Sequence, residues 1–94
     1  PYYLSPEQAS GRAVTIQSDL YSLGVMMFEM LAGKRPFIAE SLELLLAKHL
    51  NAETPPLPAT CARLQPVVNK LMKKDPTARY ASAEELLADL RTVG

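Results

Sequence analysis

Ninety-four residues are enough for one small domain or for a piece of a larger one, with only a modest core. With 48% apolar and 21% charged residues, the composition is that of a soluble globular chain. Ten basic residues against 10 acidic ones leave no positive excess or stripe to attract nucleic acid or an anionic membrane surface. Cys61 is the sole cysteine, which excludes an intrachain disulfide and points to a reducing compartment, and one cysteine with one histidine is a poor start for a metal site.

The chain opens on Pro1 rather than Met and is expected to be cut from a longer protein. Residues 1–6 hold Pro1, Pro6 and the pair Tyr2-Tyr3, which suits an extended loop. Pro6 can start a short helix with Glu7 and Gln8 in its first turn, before Ser10-Gly11 ends it. A second helix is expected from about Ser18 to Leu31, capped by Ser18 or Asp19 and closed by Gly33. At 100° per residue, Asp19, Ser22, Glu29 and Gly33 share one stripe roughly 80° wide. Apart from Gly24 the rest is apolar, so the helix belongs in the middle of a domain. Gly24 lies opposite the stripe, where a missing side chain admits another backbone. The apolar stretch from Leu20 to Ala32 is too short to span a bilayer and is broken by Ser22, Gly24 and Glu29.

A third helix is expected over 41–50, with Ser41 as its cap and Leu42, Leu45, Leu46 and Leu50 as a core-facing row. His49 reads as a surface or cap residue. Asn51 to Pro58, with Pro55, Pro56 and Pro58, reads as an extended linker. Pro66 cannot lie deep inside a helix, so Thr60 to Leu64 reads as a turn or 3₁₀ piece. The fourth helix then begins near Gln65, carries Lys73 and Lys74 at its C-terminal end and stops at Asp75-Pro76. Ser82 and Glu85 form a capping box for a last helix with Ala83, Leu86, Leu87, Leu90 and Val93 at helical spacing. No strand alternation is convincing. The expected fold is all-α, about five helices without a sheet.

Three segments carry a specific resemblance. Pro1-Tyr2-Tyr3-Leu4-Ser5-Pro6-Glu7 resembles the end of a protein-kinase activation segment, with Ser5-Pro6-Glu7 in place of Ala-Pro-Glu. Ser18-Asp19-Leu20-Tyr21-Ser22-Leu23-Gly24 resembles the start of the central helix of that fold's large lobe. Lys74-Asp75-Pro76-Thr77-Ala78-Arg79-Tyr80 resembles the loop before its final helix. The three occur in the family's order and spacing, and the style is that of bacterial eukaryotic-like (Hanks-type) serine/threonine kinases. The resemblance makes residues 1–94 the stretch from the end of the activation segment through the final helix of the large lobe.

The resemblance implies that Pro1 and Leu4 line the pocket for the substrate residue after the phosphorylated one, with Tyr3 bracing it. It implies an ion pair between Glu7 and Arg79, and an Asp19 carboxylate that holds the catalytic loop of the whole protein. No residue of this chain is expected to be catalytic or to bind metal. Phosphoryl transfer needs a glycine-rich loop, a strand lysine, a catalytic aspartate and magnesium ligands, none of which has its motif here. ATP and Mg²⁺ are therefore expected cofactors of the whole protein and not of these residues alone, and protein substrates are its expected partners. The kinase domain is expected in the cytoplasm, with membrane anchoring of the whole protein left open. A pseudokinase fragment and a free-standing helical interaction module are the alternatives. Because the helix from Ser18 to Leu31 is apolar over most of its circumference, Leu20, Leu23, Met27 and Met30 are expected in water in this chain, which favours self-association.

Overall fold

The computed structural model describes residues 2–93. Five α-helices follow in order, α1 (Pro6–Ala9), α2 (Ile16–Ala32), α3 (Leu42–Asn51), α4 (Gln65–Leu71) and α5 (Ala83–Val93). Short 3₁₀ turns cover Ala59–Leu64 and Pro76–Ala78, and no strand occurs among the described residues. The architecture is all-α. Pro66 sits in the first turn of α4, where its missing N–H costs nothing.

The longest helix organises the rest. Tyr21, Val25 and Phe28 of α2 pack with Phe37, Leu45, Leu57, Val68 and Met72. Leu20, on a neighbouring face, packs with Val67, Leu71, Tyr80 and Leu86. Between the two clusters Gly24 lets α4 come close: a Cβ built on it would lie 2.7 Å from Leu71 Cβ and 2.9 Å from Met72 Cγ. Gly33 ends the helix at φ 73°, its N–H donating to the Glu29 carbonyl at 2.9 Å.

Several expectations need correction. α2 begins two residues early, because Thr15 takes the extended backbone of a cap (φ −131°, ψ 177°) and Ser18 falls in the first turn. Ser18 Oγ accepts the Thr15 N–H at 3.1 Å, so neither Ser18 nor Asp19 is the N-cap. Leu20 is buried within the chain by Val67 and Leu71, and Leu23 and Met27 are half-buried against the same cluster. Met30, at 83% exposed, and Met26, at 44%, do face water.

On α3 the expected leucine row is broken, because Leu45 is buried while Leu42 and Leu50 are exposed. Its place in the core is taken by His49, which is fully buried and not a surface residue. The His49 ring stands edge-on to Tyr21 and Phe37, and Nδ1 lies 2.9 Å from the Tyr21 hydroxyl. α4 stops at Leu71, short of Lys73 and Lys74, because those two carbonyls turn towards Arg79. Glu85 in α5 accepts the N–H of Ala81, one residue before the box partner expected, while Ser82 Oγ accepts the Glu85 N–H.

Candidate functional site

The segment before α1 is tied down at each end. Ser5 caps α1 with extended backbone (φ −75°, ψ 158°), and its N–H donates to Gln8 Oε1 at 3.0 Å. Two residues earlier the chain lies along α2. Ser22 Oγ donates to the Tyr3 carbonyl at 2.6 Å, and the Tyr3 hydroxyl donates to Glu29 Oε2 at 2.6 Å. The Arg35 guanidinium covers the Tyr2 ring at 3.7 Å from its centre. Bonding to Glu29 raises the Tyr3 phenol above its ordinary pKa. Ser22 and Glu29 are the polar stripe of the otherwise apolar helix, so the loop lands where α2 can offer hydrogen bonds. Leu4 is half-buried and Tyr3 is 36% exposed; Pro1 lies outside the described residues.

Tyr3→Phe removes one exposed bond and is expected to cost at most about 1 kcal/mol. Amide hydrogen exchange at residues 3–5 should nevertheless speed up. Unchanged exchange there would show that the Ser22 bond alone fixes the loop.

The loop is fastened to the far end of the chain by one buried ion pair. Arg79 Nη1 donates to Glu7 Oε2 at 2.6 Å and Nη2 to Oε1 at 2.8 Å, two parallel bonds across 72 positions of sequence. Arg79 also donates to the carbonyls of Gln17 (2.9 Å), Lys73 (2.7 Å) and Lys74 (3.3 Å). Each N–H of its guanidinium has an acceptor, which only a planar five-donor group could achieve at this point. Glu7 is as fully engaged, since Oε2 accepts from Ser18 Oγ as well, at 2.7 Å. Burial pushes the Glu7 carboxyl up, but the bonds from Arg79 and Ser18 outweigh it and hold the pKa at about 2. Both side chains are buried.

Asp19 is exposed in the first turn of α2. Among the described residues no three His, Cys, Asp or Glu side chains gather where a metal ion could be held.

Known proteins share this arrangement of sequence over nearly the whole chain. The family model for the protein kinase domain matches residues 1–90. The chain belongs to the protein kinase family. It is 43% identical over 95 residues to the serine/threonine-protein kinase PrkC of Bacillus subtilis, covering 97% of this chain and 15% of that protein. It is 41% identical over 92 residues to the serine/threonine-protein kinase PknB of Mycolicibacterium smegmatis, covering 94% and 15%. A probable PknB of Lactococcus lactis is 39% identical over 95 residues, covering 97% and 15%. The chain thus spans about a seventh of the length of the curated relatives it matches.

Within this kinase-family chain the structure brings Glu7 to Arg79 and Tyr3 to α2, while Asp19 stands apart from both. Sequence reading missed Ser18, Ser22, Glu29 and Arg35 as partners of these residues. For Ser22 and Glu29 a signal existed, the stripe shared with Asp19. For Arg35 none did, because the Gly33 turn alone swings it onto Tyr2.

Proposed function

We propose that this chain is the substrate-binding and scaffold portion of a serine/threonine protein kinase domain, running from the end of the activation segment through the last helix of the large lobe. In the whole protein it would present the acceptor Ser or Thr of another protein to the γ-phosphate of ATP, with Mg²⁺ held by residues outside this stretch. The observation that carries the reading is the fixing of the Tyr2–Ser5 loop from two sides. Tyr3 is bonded to Ser22 and Glu29 of the central helix, and Glu7, just past Leu4, is locked to Arg79. A loop so held can offer Tyr3 and Leu4 as a preformed wall to a peptide, and preformed geometry is what positioning catalysis requires. Asp19, exposed at the start of α2, is free to hold a catalytic loop. No helix of the described residues is long and apolar enough to cross a membrane. On its likeness to the serine/threonine-protein kinases, the domain is proposed to work in the cytoplasm.

The test uses the intact protein, labelled ATP and a generic acceptor protein. Phosphate on Ser or Thr is expected, and Leu4→Asp should cut transfer to the acceptor at least tenfold while ATP binding persists. Absence of transfer by a correctly folded protein would favour the pseudokinase alternative. The 94-residue chain alone is expected neither to bind ATP–Mg²⁺ nor to phosphorylate protein, since phosphate- and metal-holding motifs are missing from it. Turnover that disappears on mutating a residue of this chain would refute that.

Alone, the chain is also proposed to pair with a second copy through α2, where Met26 and Met30 are exposed on adjoining turns. Leu20 is covered, so the uncovered area is smaller than the sequence suggests and the association correspondingly weaker. Light scattering across micromolar concentrations decides: a monomer throughout would remove this proposal.

A further inference from the structure

The side chain of Lys74 is used by nothing described so far. Its ammonium is half-buried between α3 and the segment leading to α5. Nζ lies 4.6 Å from the centre of the Phe37 ring and 5.8 Å from that of Tyr21, and it donates to the Lys48 carbonyl at 3.4 Å. The nearby carboxylate of Glu7 is consumed by Arg79 and Ser18, so Lys74 is placed beside a guanidinium with no anion of its own among the described ion pairs. Burial, aided by the Arg79 charge, brings its pKa down to about 8.

Lys74 also lines a cleft of about 150 Å³ together with Pro6, Glu7, Ser10, Arg12, Leu50 and Pro76, and the Glu7 carboxylate there is already paired with Arg79. The cleft is too small for a nucleotide but large enough for a two-carbon acyl group joined to a phosphate. Arg12 is exposed on its rim, with its backbone fixed by the bond from its N–H to the Glu7 carbonyl at 2.8 Å. Its guanidinium and the Ser10 hydroxyl are the donors a phosphate would need.

We propose that Lys74 is an acylation site for a small acyl phosphate, with its amine as the nucleophile and Arg12 holding the phosphate of the donor. The ammonium first yields its proton to water. The amine attacks the acyl carbon, a carbon–nitrogen bond forms, and the carbon–oxygen bond to phosphate breaks. Inorganic phosphate leaves with the electron pair and takes up the proton that the nitrogen gives up as the amide forms. The product is a neutral amide, so one of the two cations packed against the Tyr21 ring is lost, and with it the charge that sits over Phe37.

The experiment treats the intact protein at pH 8 with acetyl phosphate or, in parallel, with the uncharged N-hydroxysuccinimide ester of acetic acid, and follows each lysine by mass spectrometry. Lys74 should react on the order of tenfold faster than Lys34 or Lys73 with both reagents, because burial and the Arg79 charge leave more of its amine unprotonated at pH 8. Arg12→Gln, a change at an exposed side chain, should slow the acetyl phosphate reaction at Lys74 and leave the ester reaction alone. If Lys74 reacts no faster than Lys34 with either reagent, the nucleophile is wrong. If Arg12→Gln slows both reagents equally or neither, the phosphate-holding role of Arg12 is wrong. Neither outcome bears on kinase activity.

Discussion

Glu7→Ala is expected to lower the unfolding free energy of the chain by about 3–5 kcal/mol. The reason lies in what remains. Arg79, 4% exposed, would keep its charge with two N–H groups aimed at an emptied space, and Ser18 would lose its acceptor. Arg79→Lys should cost a similar amount although the charge is kept, since one ammonium cannot reach two carboxylate oxygens and the carbonyls of Gln17, Lys73 and Lys74 together. Replacing both partners by apolar residues should recover only part of the loss, because those carbonyls would still want a donor. Urea unfolding of Glu7→Ala, Arg79→Ala and the double variant that combines them closes the cycle. A cost below about 1 kcal/mol for Glu7→Ala would mean that water enters and the pair is not sealed.

The same pair sets an acid limit. The Glu7 carboxyl is lowered from 4.5 to about 2, so the native state holds it ionised where the unfolded chain takes up a proton. Its contribution is fully present above about pH 4.5 and is lost as pH falls through about 2. Unfolding midpoints measured between those values should drop with pH in the wild type and flatten in Glu7→Gln.

How far the sequence speaks for this fold depends on the range of the interaction concerned. Local chemistry was readable: Ser41 capping α3, Pro66 in the first turn of α4 and Gly33 closing α2 follow from backbone rules acting within four residues. The ion pair of Glu7 with Arg79 was accessible only through the kinase resemblance, since nothing in the composition links positions 72 apart. His49 was misread for a related reason. A lone histidine on a leucine-rich helix looks like an edge residue until Tyr21 and Phe37, from two other segments, supply its surroundings. The length of α4 was misjudged because a tertiary partner, Arg79, claims the carbonyls of Lys73 and Lys74.

Gly24 offers the sharpest test of how α2 and α4 are joined. Gly24→Val is expected to cost about 3 kcal/mol, with Gly24→Ala between that and the wild type. Two effects oppose each other. Removing a glycine from a helix interior gains about 1 kcal/mol for Ala and less for the β-branched Val. Against this, the first added carbon would stand 2.7 Å from Leu71 Cβ, an atom fixed to the α4 backbone that cannot swing aside. Overpacking of this kind costs about 1–3 kcal/mol and grows with each further methyl, so the steric term wins for Val and is nearly balanced for Ala. Leu71→Ala cannot remove the offending Cβ, but by emptying the space beyond it lets α4 shift. Combined with Gly24→Val it should therefore cost less than the sum of the two single changes. Calorimetric midpoints of the three single variants and the double variant decide the matter. A Gly24→Ala protein clearly more stable than the wild type would show that α4 yields readily, and that the glycine is not what sets the distance between the two helices.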